Sequence, residues 1–128
     1  MKNLIKIVAW VFLGVLVIGF GFMFFLNKDL KSTTSLEVTP VDLSLLADGD
    51  YEGYYDHGRF SNRVYVTVKD HKIVDIDFYQ TVEFDWPEVR EALIQAVLEK
   101  QNVDIDTISE ATATSKAYLK SIEKALRP

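Results

Sequence analysis

The pattern of apolar and polar positions divides this chain of 128 residues into an apolar start and a mixed remainder. Residues 7–26 are an unbroken apolar run without a polar face. A helix of that length extends about 30 Å, which matches the hydrocarbon core of a bilayer. The run ends in Met-Phe-Phe-Leu-Asn-Lys, without the small residues that precede a signal-peptide cleavage site. The pattern therefore predicts an uncleaved transmembrane helix within residues 1–28.

Polar residues return after this run. Residues 29–47 are predicted to form a linker, because they contain the polar run Ser-Thr-Thr-Ser and Pro40, which resists regular structure. Asp48 and Gly49 then form a turn signal. We place a folded domain at residues 48–128.

Within that domain, alternating positions predict three strands, at residues 50–55, 63–68 and 72–78. In the third strand, Val74, Ile76 and Phe78 are expected to face the core. The short spacing joins the second and third strands in a tight hairpin. His71 then occupies a turn position with positive φ, which His tolerates better than most residues.

Two helices are expected after the strands. The first has Asp85 as its N-cap and Pro87 in its first turn, and it runs to about Lys100. The second closes the chain, and one interpretation of its start is a cap formed by Thr114 or Ser115. Strands followed by helices predict an α+β domain, with a small antiparallel sheet packed with helices behind the N-terminal transmembrane helix.

Composition narrows the function. The chain carries 19 acidic and 14 basic residues, and this acidic balance argues against nucleic acid as a partner. It has no cysteine, and both of its histidines fall in predicted turns, so thiol chemistry and catalytic triads lack candidates. Zinc or calcium spacings and glycine-rich phosphate loops are also missing from the sequence. We therefore do not expect a stand-alone enzyme or a metal site.

Charges flanking the apolar run indicate its orientation. Lys2 and Lys6 join the terminal amine on the short side, whereas Lys28 and Lys31 flank Asp29 on the other. The positive-inside rule favours a cytoplasmic N-terminus. The domain is then expected on the extracytoplasmic side of a single-pass membrane protein.

Hydroxyl residues crowd the start of the last helix, at Ser109, Thr112, Thr114 and Ser115. A helix N-terminus offers unpaired N–H groups and the positive end of the helix dipole. The stretch therefore suits an anion, as an alternative to simple helix capping.

Three stretches of the sequence carry recognisable motifs. Residues 48–53 read Asp-Gly-Asp-Tyr-Glu-Gly, and they resemble the Asp-Gly-x-Tyr-x-Gly opening of the FMN-binding domain family. Residues 66–76 are similar to the hairpin of that family, with His71 in place of Gly. Residues 106–115 resemble its signature, Asp-x-x-Ser-Gly-Ala-Thr-x-Thr-Ser. The family includes the flavin domains of the C subunit of sodium-translocating NADH:quinone reductase and of the G subunit of related electron-transport complexes.

The resemblance implies a membrane-anchored domain that carries electrons on bound FMN, at most as one component of an electron-transfer system. It implies redox partner proteins and a flavin transferase, which esterifies the FMN phosphate to the threonine matching Thr112. The residues matching Ser109, Ala111, Thr114 and Ser115 would lie around that phosphate.

Aromatic side chains are candidates for stacking on the flavin ring, although the same residues could serve ordinary packing. These are Tyr54, Tyr55, Phe84 and Trp86.

Glu110 departs from the signature, which has Gly at that position. Glutamate lacks the backbone freedom of Gly, and its charge would repel a phosphate 4–6 Å away by roughly 2–4 kcal/mol, which Lys116 could partly offset. The sequence leaves three states open: covalent FMN at Thr112, non-covalent FMN, and a flavin-free domain acting as an anchored interaction or assembly module.

Overall fold

A computed structural model describes residues 1–107 and 111–127. The chain forms three helices and three strands there: α1 Lys2–Thr34, β1 Gly49–Tyr55, β2 Asn62–Lys69, β3 Lys72–Gln80, α2 Pro87–Lys100 and α3 Thr112–Leu126. Short 3₁₀ turns occur at Leu43–Leu45 and Gly58–Phe60. The α+β class and the order of elements are confirmed.

The sheet is antiparallel, in the order β1-β2-β3, and α3 packs across its inner face. The inward residues of β2 and the facing side of α3 are almost completely buried: Val64, Val66, Val68, Tyr118, Leu119 and Ile122. Alternation along β2 and helical spacing along α3 place these apolar side chains in one layer. This layer holds the start of α3 in a fixed position relative to the sheet.

Gly53 allows α3 to lie directly against β1. A Cβ atom at this position would be 2.0 Å from the backbone oxygen of Ser121 and 2.7 Å from the Cβ of Ala125. Any other residue would therefore push the helix away from the strand.

A β-bulge changes the predicted face of β3. Thr67 pairs with Asp75 and Val68 pairs with Ile73, so Val74 is the extra residue. The predicted burial of Val74 is wrong, because the bulge leaves this side chain 51% exposed. Beyond the bulge, Ile76 is buried as expected.

The hairpin turn between β2 and β3 has the predicted backbone. Asp70 and His71 both have positive φ, at 52° and 61°. The Asp48 carboxylate accepts a hydrogen bond from the Asp70 N–H at 2.8 Å, which ties the turn to the start of β1. The prediction that His71 tolerates a left-handed position is confirmed.

Both predicted helix caps are wrong. Trp86 occupies the N-cap position of α2, while the Asp85 carboxylate binds Arg90 and accepts a 2.5 Å hydrogen bond from Tyr118. Helix α3 begins earlier than expected, with Ala111 as N-cap, so Thr114 and Ser115 lie inside its first turn. Asp85 does not cap α2 because its carboxylate binds Arg90 and Tyr118 instead. Thr114 and Ser115 do not cap α3 because the helix already begins at Thr112.

Helix α1 is the one helix within residues 1–107 and 111–127 that is long and apolar enough to cross a membrane, with a mean hydropathy of 2.6 over its apolar window. It extends through residues 29–34, past the end of the apolar run. Its last turn contacts the domain. Thr33 is fully buried and its hydroxyl lies 3.1 Å from the Tyr55 hydroxyl, while Lys116 donates to the Thr34 carbonyl at 2.7 Å.

Side chains of α3 and of Arg127, which directly follows it, also hold the extended segment after α1. Lys120 donates to the Glu37 carbonyl at 3.2 Å, and Arg127 donates to the Pro40 carbonyl at 2.7 Å. These contacts fix the segment along the outside of α3.

Candidate functional site

A cavity of about 350 Å³ opens where three parts of the chain meet. The end of α1, the Gly58–Phe60 turn and the start of α3 form its walls. Its volume lies at the lower end of the range for small-molecule sites. The residues that line it include Leu30, Thr34, Arg59, Phe60, Thr112 and Thr114.

The structure brings together three of the five predicted cofactor-binding residues. Ala111, Thr112 and Thr114 line the cavity, and both threonines are half-buried. Ser115 is fully buried and is not part of the cavity lining. Ser109 lies outside the described residues, as does Glu110.

The start of α3 gives this cavity a positive end. Thr112 is the first helical residue, and its N-cap, Ala111, has no side-chain acceptor for the helix N–H groups. The first turn carries no acidic residue. Helix N-termini of this kind favour anions through their N–H groups and the helix dipole.

Arg59 adds a full positive charge to the same cavity. Its guanidinium lies 4.7 Å from the ring centre of Phe60 and 5.8 Å from that of Phe84. Nη2 donates to the Leu26 carbonyl at 3.3 Å, whereas Nε is buried and has no hydrogen-bond partner among the described residues. A buried N–H without a partner is destabilising, and an arginine fork suits phosphate oxygens well. The residues present therefore fit a phosphate group.

The turn that carries Arg59 is fixed on both sides. Gly58 has a φ of 53°, a left-handed conformation that favours glycine. The Arg59 carbonyl accepts a hydrogen bond from the Glu83 N–H at 3.1 Å. The loop between β3 and α2 thus holds the backbone behind the arginine.

That loop is in turn held by a buried tyrosine. The Tyr118 hydroxyl donates to Asp85 at 2.5 Å and accepts from the Val82 N–H at 3.3 Å. Burial raises the pKa of Tyr118, against smaller lowering effects of the Val82 hydrogen bond and the Arg90 charge. The tyrosine therefore stays protonated and connects the loop to α3.

The four candidate stacking residues have different surroundings. Phe84 is 68% exposed and lies beside Arg59, and Trp86 is 48% exposed on the same loop. Tyr54 contacts Lys124 and Arg63, and Tyr55 is buried, with its hydroxyl next to that of Thr33 in α1. Phe84 is the one of the four whose neighbour, Arg59, lines the cavity.

Sequence reasoning missed Arg59, Leu30 and Thr34 as members of the site. Arg59 belonged to a loop without a recognised motif, and Leu30 and Thr34 fell in the predicted linker. One available signal was Gly58, since glycine is typical of a turn that needs positive φ, but it did not mark the neighbouring Arg59 as part of a site. No local pattern indicated that α1 continues to this cavity.

These features define a class: a small α+β domain with a cationic cavity at a helix N-terminus, suited to a ligand that carries a phosphate. The family model of the FMN-binding domain matches residues 61–127, from the start of β2 through α3. The chain belongs to the FMN-binding domain family, as its motifs indicated, and this membership supports FMN as its cofactor. The match includes Thr112 and Thr114, while Arg59 lies just before it. Among curated proteins no match was found.

Proposed function

We propose that this protein is a membrane-anchored FMN-binding domain that carries electrons on the extracytoplasmic side of the membrane. In this proposal α1 is the anchor, and the flavin phosphate lies between Arg59 and the first turn of α3. The observation that carries the site is the buried Arg59 Nε, which has no hydrogen-bond partner among the described residues and belongs to a cavity-lining arginine.

The chain's own residues would hold and orient the cofactor. Bound FMN supplies an isoalloxazine ring that accepts and donates electrons. The N–H groups at the start of α3 and the Arg59 guanidinium would neutralise the phosphate. Phe84, exposed beside Arg59, is the candidate for contact with the ring.

Two features support an anchor with an outward domain. The apolar window of α1 is unburied, as expected for a surface that lipid covers. Lys2, Lys6 and the terminal amine favour a cytoplasmic N-terminus. Redox partner proteins would then meet the domain outside the cytoplasm.

Thr112 is the proposed attachment point if the flavin is covalent. Its side chain is half-buried and lines the cavity, so its hydroxyl is accessible to a phosphate held there. Thr114 lines the same cavity and is a matched control. A flavin transferase would be the partner that forms the phosphoester.

The experiment is to purify the full chain in detergent after expression with and without a flavin transferase. Visible absorption should show flavin, and flavin that stays in the pellet after acid precipitation is covalent. A Thr112→Ala variant should lose the acid-stable flavin, whereas Thr114→Ala should keep it. Acid-stable flavin in Thr112→Ala would show that the acceptor lies elsewhere.

A flavin-free interaction or assembly module is the second candidate, and Glu110 favours it. A carboxylate next to the start of α3 would weaken phosphate binding. Chain that remains colourless with excess FMN, with and without the transferase, would support this alternative and reject the flavin proposal.

A further inference from the structure

We infer that the extramembrane end of α1 forms one wall of the flavin site, so that FMN binding and docking of the membrane helix stabilise each other. This inference rests on the function proposed above. It concerns residues 27–34, which the sequence pattern assigned to the anchor and the linker.

The first step is the position of the wall. Leu30 and Thr34 line the cavity and are four residues apart, so they share one face of α1. Ser32 is exposed and lies about 200° around the helix from Leu30. At 1.5 Å per residue, Leu30 is about 6 Å and Thr34 about 12 Å beyond the last apolar residue of the run, Leu26. The cavity therefore begins at about the level of the lipid headgroups.

The second step is the connection made by Arg59. Arg59 lines the cavity, and its Nη2 donates a hydrogen bond to the Leu26 carbonyl of α1. The Leu26 carbonyl can accept this bond in addition to its helical one, because a carbonyl oxygen has two lone pairs. An anion bound to Arg59 would thus fix a group that is already bonded to α1.

The third step is the contact between α1 and α3. Lys116 in α3 donates to the Thr34 carbonyl, and the Thr33 and Tyr55 hydroxyls meet in the core. Helix α3 therefore contacts the end of α1, and its own first turn lines the cavity. A ligand that binds the docked arrangement better than the undocked one stabilises docking, and docking must strengthen ligand binding by the same factor.

The absence of cysteine from the sequence provides a direct test of the wall. Leu30→Cys and Ser32→Cys each introduce a single thiol into the full chain, on opposite sides of the same turn. Leu30 is 39% exposed, so a thiol at this position is accessible when the cavity is empty. The variants are made without flavin transferase, placed in phospholipid nanodiscs and labelled with a maleimide, with and without FMN.

Free FMN at about ten times its Kd should slow labelling of Leu30→Cys by roughly tenfold, because about one chain in eleven then lacks ligand. Labelling of Ser32→Cys should change less than about twofold. Binding is followed in the same samples by quenching of FMN fluorescence. Bound FMN with unchanged labelling of Leu30→Cys, or with equal protection of both thiols, would overturn the inference alone. Failure of every variant and of the natural sequence to bind FMN would overturn the proposed function as well.

The reverse direction tests the coupling. Thr33→Val keeps the side-chain shape and removes the buried hydroxyl that meets Tyr55, at a residue that does not line the cavity. Loss of one such hydrogen bond should weaken FMN binding about 3- to 10-fold through reduced docking. The control is Ser32→Ala, on the exposed side of the same helix, which should bind FMN normally. Equal FMN affinity in Thr33→Val and the control would overturn the coupling.

Discussion

Helices α2 and α3 start in opposite ways, although both N-termini lie close to an arginine. Helix α2 has Glu88 in its first turn, and the nearby Arg90 is already paired with Asp85. The first turn of α3 has no acid, and Arg59 keeps a buried N–H without a partner among the described residues. Acidic side chains of the chain therefore neutralise the start of α2, whereas the first turn of α3 contains no acidic residue that could do so.

The difference shows what turns a helix start into a ligand site. Both helices have N–H groups and a dipole, so these features alone do not distinguish them. The start of α3 differs in three ways: it lines a cavity, its first turn has no acidic residue, and the Nε of the neighbouring Arg59 has no hydrogen-bond partner among the described residues.

The largest expected effect follows the removal of the Arg59 charge. Arg59→Gln should weaken FMN binding roughly 10- to 150-fold, the range expected for one hydrogen-bonded charge on a phosphate. Riboflavin lacks the phosphate, so its affinity should stay unchanged. Fluorescence quenching measures both ligands on the full chain. Equal losses for FMN and riboflavin would place Arg59 near the ring instead of the phosphate.

The matched change in α2, Arg90→Gln, should lower the stability of the domain without weakening FMN binding. Arg90→Gln leaves the Asp85 carboxylate, only 15% exposed, without its cationic partner. We expect the free energy of unfolding to fall by about 1–3 kcal/mol, because a poorly solvated carboxylate loses a charged hydrogen bond. FMN affinity, measured at a temperature where the variant is folded, should match that of the natural sequence. A large loss of affinity would contradict the assignment of the two arginines to different tasks.

A smaller effect is expected at the residue that departs from the family signature. Glu110→Gly removes a negative charge next to the start of α3 and makes that start less like that of α2. FMN affinity should rise by up to about tenfold at low salt, because Lys116 offsets part of the repulsion between Glu110 and the phosphate, and the gain should shrink at 1 M salt, where charges are screened. Glu110→Gln separates charge from backbone freedom. If Gly improves binding and Gln does not, backbone freedom is the cause.

The comparison also shows which features the sequence could predict. Local patterns predicted the apolar run, the alternating strands and the His71 turn, because each of these depends on residues that are close together in the sequence. The cavity depends on contacts between distant residues: Arg59 with Leu26, and Lys116 with Thr34. Such contacts exist only once the sheet and α3 are assembled, and no spacing in the chain encodes them.

The corrected details have the same physical origin. Asp85 has the composition of an N-cap, but a buried tyrosine and an arginine offer it stronger partners. Val74 alternates correctly, yet a bulge shifts it into water. Thr112 was recognised because the signature spans it, whereas Arg59 lies outside any motif. Family signatures thus identified the α3 wall of the site, and only the fold revealed the opposite wall.

The smallest effect concerns the tyrosine that connects the two helix starts. Tyr118 in α3 donates a hydrogen bond to Asp85, which precedes α2, and Tyr118→Phe should lower the free energy of unfolding by about 1 kcal/mol at pH 7.

Burial raises the pKa of Tyr118 above the ordinary 10.0, so the folded state holds the phenol proton more tightly than the unfolded state. The stability from this effect is complete below about pH 10 and declines as pH rises towards the folded-state pKa. Above pH 10, the natural sequence should therefore lose stability more steeply than Tyr118→Phe, by up to about 1.4 kcal/mol per pH unit. Urea unfolding between pH 8 and 11 measures the difference. Tyr79, whose pKa the Glu52 hydrogen bond also raises, is present in both proteins and does not affect the comparison. Parallel pH profiles would show that Tyr118 ionises as freely in the folded domain as in the unfolded chain.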